Sequence, residues 1–130
     1  MSKIFTIHLC WIFRPSDRPL SLVLHLSAAR DKLNYDIAKH FNEAIVFVDC
    51  AMRMGGCVFV HCHRGVSRSA SVVIAFLLAT RAKEFGNDVG SVLKRVQERR
   101  SVVAPNASFM AQLAVWWKKR DQTRPWGVSS

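Results

Sequence analysis

The chain has 130 residues, half of them apolar, which suits one packed core and leaves little room for a second domain. That apolar share excludes a disordered tail protein. Nineteen Lys and Arg against nine Asp and Glu give +10 at pH 7. Such a charge selects no fold, but it favours anionic partners: phosphate groups, acidic proteins, nucleic acid or an anionic membrane surface.

Residues 3–13 read as a strand. Ile4 to Phe13 is apolar apart from Thr6 and His8 and follows Lys3, an outline shared with secretory signals. Arg14-Pro15-Ser16-Asp17 offers no small-residue cleavage site, so the strand is preferred. Pro15, Asp17 and Pro19 mark a turn, and Leu20 to Leu26 reads as a second strand. From Ile37 the period changes: Ile37, Phe41, Ala44, Ile45, Val48 and Met52 share one helical face. Asp36 stands where an N-cap belongs, and Gly55-Gly56 ends the helix. Cys57 to His61 is a short apolar burst fit for a buried strand.

A loop follows over Cys62 to Arg68. Ser69 to Phe85 is apolar nearly all round and should be a central helix. Asp88 caps a third helix, with Val89, Val92, Leu93 and Val96 inward and Lys94, Arg95, Arg99 and Arg100 mostly outward. Pro105-Asn106 opens a fourth, with Phe109, Leu113 and Trp116 on the core side. Lys118-Lys119-Arg120 then complements the helix dipole, and 121–130 is a frayed tail, so the domain spans 1–120. The longest unbroken apolar run, Val72 to Ala79, is far short of the ~20 residues of a membrane span. Strands followed by helices, with a strand–loop–helix at the centre, indicate a compact α/β domain.

The four cysteines, Cys10, Cys50, Cys57 and Cys62, form no Cys-x-x-Cys pair. They read as reduced thiols of a cytoplasmic protein, with the nucleus also open to it. Cys57 could serve as a resolving thiol for an oxidised Cys62, but a plain core cysteine is the simpler reading. No role is assigned to His8, His25 or His40. His61, Cys62 and His63 are adjacent and cannot easily converge on one ion, and no second ligand pair follows. Neither a metal nor a cofactor is expected.

The chemistry concentrates in residues 61–69: His61-Cys62-His63-Arg64-Gly65-Val66-Ser67-Arg68-Ser69. A strand–loop–helix turn can aim several backbone N–H groups inward and form an anion nest at the positive end of the helix. Gly65 permits the tight curl and the close approach of a ligand. A thiol in that field should be a thiolate at neutral pH, hence a nucleophile. Arg68 can hold two oxygens of a tetrahedral dianion in its planar fork. Few anions other than phosphate, or a sulfate-like mimic, fit the combination.

His-Cys-x-x-Gly-x-Ser-Arg-Ser resembles the signature of the dual-specificity branch of the cysteine-dependent protein tyrosine phosphatases, in their small atypical form. The match at 61–69 is complete, and the likeness runs from about Leu24 to Trp117. Phe41-Asn42-Glu43-Ala44-Ile45, Gly55-Gly56, and Pro105-Asn106 with Phe109, Gln112 and Leu113 look like the family's helical framework. The resemblance implies a central, mostly parallel sheet flanked by helices in a three-layer-like arrangement. It implies attack by Cys62 on phosphorus to give a phosphocysteine. Backbone N–H groups of His63, Arg64, Gly65, Val66, Ser67 and Arg68, with the Arg68 fork, would hold the equatorial oxygens. Ser69 would hydrogen-bond the departing thiolate, and His61 would orient the loop and depress the Cys62 pKa.

The family also implies an aspartic acid that protonates the leaving oxygen and then activates water. It lies on a loop about thirty residues before the cysteine, as Asp31 does, about ten before Phe41. Asp36 competes, but its N-cap position gives it a structural explanation. Asp49 falls inside the helix as a surface or packing residue. Arg30 and Arg64 add positive potential at the pocket mouth.

The N-terminal part departs from the family, whose members usually carry more chain before the acid loop. The domain is either minimal, truncated, or completed by a second copy as a homodimer. The expected substrates are phosphotyrosine and phosphoserine or phosphothreonine on proteins. The same chemistry on an RNA 5′-triphosphate or a phosphoinositide is the alternative, kept open by the +10 charge. A non-catalytic phosphate-binding module is the reading from another class; it would need loss of Cys62 or Arg68, and both are present.

Overall fold

The computed structural model describes residues 7–12, 23–26, 33–54, 57–61 and 67–120. The expected turn at 13–22, the Gly55-Gly56 stop and the 121–130 tail lie outside them. Strands β1 (Ile7–Ile12), β2 (Val23–Leu26) and β3 (Cys57–His61) form one sheet in the order β2-β1-β3. Ile7 stands opposite Leu26 and Cys10 opposite Val23; on the other side His8 faces His61 and Ile12 faces Cys57.

Both pairings are antiparallel, where a mostly parallel sheet was expected. Chain length supplies the reason. About ten residues join β1 to β2, fewer than the dozen or more a parallel crossover needs, so these two can pair only as a hairpin. β2 and β3 do run in the same direction, joined through a helix, but β1 lies antiparallel between them.

A 3-10 turn at Ala38–His40 leads into α1 (Phe41–Arg53). Phe41, Ala44, Ile45, Val48 and Ala51 are buried at helical spacing, and Ile37 is buried just before the turn. Met52, expected on this face, is 53% exposed, and Ala51 takes the inner position. A 3.6-residue period leaves either neighbour able to close the stripe, and the small alanine fits the tighter contact. Asp49 pairs with Arg53 at 2.9 Å, a surface i,i+4 pair that accounts for it structurally.

Helix α2 (Arg68–Phe85) buries Val72, Ile74, Ala75 and Leu78 and packs against α1, β3 and the two helices that follow. It ends at Gly86 in the left-handed region (φ 102°), where a Cβ would come within 2.8 Å of Ser91 Oγ, so only glycine fits without displacing that side chain. Asp88 caps α3 (Val89–Arg99) by accepting from Ser91 N at 2.8 Å, and Asn106 caps α4 (Ala107–Lys119) by accepting from Phe109 N at 2.8 Å. Along α4 the buried positions are Phe109, Leu113 and Trp117. Trp116, expected inside, lies half-buried edge-on against Phe41, with Nε1 3.4 Å from Asn42 Oδ1. Trp117 is the better continuation of an i, i+4, i+8 stripe.

One hydrophobic cluster joins these faces, with Val58 and Val60 of β3 packed against it. Those two alternate positions share one face of the strand.

Candidate active site

The site is built at the junction of β3 and α2. Residues 62–66 lie outside the described residues, which removes Cys62, His63, Arg64, Gly65 and Val66 from direct view, together with Arg30 and Asp31. The flanks are in view. β3 ends at His61; Ser67, just before α2, and Arg68 and Ser69 in its first turn are all buried. Six residues, 62–67, join the strand to the helix.

Arg68 is 4% exposed in the first turn of α2. Burying a guanidinium costs several kcal/mol unless anions or a full set of acceptors surround it. Ser67, the N-cap residue, does not cap: its φ, ψ of −118°, −61° aim its hydroxyl elsewhere. Ser67 Oγ instead accepts from the backbone N–H of Asn106 at 2.9 Å, fastening the loop to the start of α4. Its carbonyl accepts from Ser71 N (2.9 Å) and Ser71 Oγ (2.7 Å), which locks the first turn. The cap side chain is therefore spent on tertiary structure.

The segment before α1 carries the competing acid candidate, Asp36. Asp36 is exposed and is not a cap, contrary to expectation: Ile37 precedes the 3-10 turn, His40 precedes α1, and neither makes a side-chain cap bond. The inserted turn moves the start of α1 out of Asp36's reach. The structural explanation that set Asp36 aside is thus withdrawn, and it stands beside Asp31 as a candidate acid.

The backbone around Asp36 is held by α4. Gln112 Nε2 donates to Tyr35 O at 2.8 Å, and Gln112 Oε1 accepts from Ala38 N at 3.1 Å. Tyr35 Oη lies 2.7 Å from His40 Nε2, with the Lys39 ammonium 5.1 Å from the tyrosine ring centre. Burial, with the Lys39 charge second, pulls the His40 pKa below its ordinary value, partly opposed by Glu43 and Asp36. The Gln112 and Ser67–Asn106 contacts were not foreseen from sequence. The available signal was a polar residue, Gln112, set beside Leu113 on a helix that turns its apolar face to the core.

β3 and α2 flank the segment that carries Cys62 in the sequence, and Arg68 is buried in the first turn of α2. The sequence matches the family "Dual specificity phosphatase, catalytic domain" over residues 17–119, and the chain belongs to that family. It is 46% identical over 83 residues to rat dual specificity protein phosphatase 5, covering 64% of this chain and 21% of that one. Its structure is similar to the Yvh1 phosphatase domain from Chaetomium thermophilum, with TM-score 0.60, 33% identity and coverage of 68% and 61%. It is also similar to a mouse putative dual specificity phosphatase complexed with zinc tungstate, with TM-score 0.56, 29% identity and coverage of 68% and 53%. The chain spans about a fifth of the length of similar vertebrate relatives and about half that of an Arabidopsis thaliana one. Among the described residues no helix is long and apolar enough to cross a membrane.

Proposed function

We propose that this domain hydrolyses phosphomonoesters on proteins, phosphotyrosine and phosphoserine or phosphothreonine alike, through a phosphocysteine on Cys62. The observation that carries the reading is the buried Arg68 at a helix start whose cap side chain is diverted, within a complete His61–Ser69 signature. The tungstate bound by the mouse relative supports it, because tungstate is a tetrahedral dianion like phosphate.

The Cys62 thiolate attacks phosphorus in line, forming the S–P bond as the P–O bond to the leaving group breaks. Charge on the equatorial oxygens meets the loop N–H groups of residues 63–68 and the Arg68 fork. Asp31, with Asp36 as second candidate, gives its proton to the leaving oxygen and recovers one from water in the next step. That water attacks phosphorus, inorganic phosphate departs, and Ser69 donates to the released thiolate. His61 steadies the loop from the end of β3. A reducing compartment, cytoplasm or nucleus, keeps the thiolate competent.

The test is vanadate-sensitive hydrolysis of an aryl phosphate with chelator and reductant present, comparing wild type with Cys62→Ser. A loss of more than about a thousandfold on substitution is expected. Equal turnover by the two proteins overturns the reading. A substrate panel then separates phosphopeptides from RNA 5′-triphosphates and phosphoinositides, which the +10 charge also attracts.

A further inference from the structure

One helix grips both Ser67, next to the Cys62 segment in the sequence, and the turn that follows Asp31. Asn106, at the start of α4, takes Ser67 Oγ at the end of the Cys62 loop. Gln112, on the same helix, takes Tyr35 and Ala38, which bracket Asp36 and follow Asp31. Six helical residues separate the two grips, about 9 Å along a rigid rod. The spacing between Ser67 and the Tyr35–Ala38 turn is thereby fixed by a helix.

We infer that Gln112 is a positioning residue for proton transfer to the leaving group, acting through the backbone of Tyr35–Ala38. This rests on the phosphatase reading of the Cys62 site.

The amide chemistry is specific. Gln112 Nε2 carries two protons, one given to Tyr35 O and one to Ser108 Oγ at 3.1 Å. Oε1 takes the Ala38 proton. Only a group with a donor and an acceptor side by side satisfies both backbone atoms. Exchanging the amide ends would oppose two oxygens at Tyr35 and two protons at Ala38. Tyr35 O also accepts from Ile37 N at 3.2 Å, so the grip falls on the turn itself. Ser108 orients the amide from one turn back on the same helix. Ile37, fully buried beside the turn, anchors the segment to the core but sets no polar register. The amide adds that register. A displacement of about 1 Å in an acid can cost on the order of a hundredfold in rate.

The experiment uses the full chain with Gln112→Glu and Gln112→Met. Glu keeps the size and the acceptor but sets an oxygen against Tyr35 O; Met keeps the size and removes both hydrogen bonds. For each protein, kcat is measured on an activated aryl phosphate, whose leaving group departs unprotonated, and on an alkyl phosphate, whose leaving group needs the proton. The ratio of the two kcat values cancels the fraction of folded protein, so a partly unfolded variant still reports. Both variants are expected to lose about ten- to a hundredfold more on the alkyl ester. They should also lose the fall in kcat at high pH that marks a group required in its acid form. An equal loss on both esters, or no loss, overturns the inference and leaves Gln112 a structural clamp. Absence of wild-type turnover on both esters overturns the phosphatase reading instead, and this inference with it.

Discussion

Helices α2 and α4 both begin at a residue with a side-chain oxygen, and they use it in opposite ways. Asn106 turns its carbonyl oxygen back onto Phe109 N and closes its own helix start. Ser67 turns its hydroxyl away to accept the Asn106 N–H, leaving α2 without a side-chain cap. The backbones differ accordingly: Asn106 is extended (φ −62°, ψ 163°), as a cap should be, and Ser67 is not. A helix start that is closed by its own side chain is a structural end. One whose capping oxygen is diverted, with an arginine buried in its first turn, suits the phosphate site proposed at Cys62.

The sharpest way to break this contrast is at Arg68. Arg68→Lys keeps the charge and loses the planar fork. It should lower kcat/KM about a hundred- to a thousandfold, corresponding to about 3–4 kcal/mol of transition-state stabilisation, and weaken vanadate inhibition in parallel. Asp88→Ala, which opens the capped start of α3, should shift thermal stability and leave kcat/KM where it was. If the two variants changed activity alike, α2 would be an ordinary helix start.

The diverted hydroxyl gives the next test. Ser67→Ala leaves the part-buried Asn106 N–H without its acceptor and should cost about 1–3 kcal/mol in denaturant unfolding. Asn106→Ala removes the α4 cap while its backbone N–H remains, and should cost about 1 kcal/mol. Ser67→Ala should also lower kcat, because it frees the end of the phosphate loop. Stability lost without any change in kcat would show the tie to be scaffolding alone.

Much of this was legible in the chain. Cap signals at Asp88 and Asn106 and the apolar stripes of α1, α3 and α4 act over one or two turns, so sequence spacing finds them. Errors fell where neighbours compete for one inner position, as at Ala51 against Met52 and Trp117 against Trp116. There the choice is made by the packing partner, such as the Phe41 ring against Trp116. Asp36 misled because an isolated cap residue cannot announce that a 3-10 turn intervenes. The Gln112 grip spans more than seventy residues of sequence, and only the folded helix brings its amide to Tyr35. The short connection makes β1 and β2 a hairpin, but the pairing of β1 with β3 was hidden for the same reason: strand patterns give faces, not partners.

The smallest effect belongs to a third helix start. α1 begins at His40, which makes no side-chain cap bond and donates or accepts at Tyr35 Oη instead. Burial and Lys39 lower its pKa in the folded state, so the unfolded chain binds the proton more readily. Stability from the neutral imidazole is therefore present above the unfolded value, about 6.5, and declines as pH falls below it. Glu43 and Asp36 temper the decline, since both favour the protonated ring. The melting temperature of wild type should fall more steeply than that of His40→Gln as pH drops from 7.5 towards 5.5, with the two curves parallel above pH 7.5. Parallel curves across the whole range would mean that His40 titrates alike in both states. Protonation also places a cation at the positive end of α1, which the dipole disfavours. A steeper wild-type fall would make His40 a helix start that tolerates only a neutral ring, whereas α2 is expected to take a dianion.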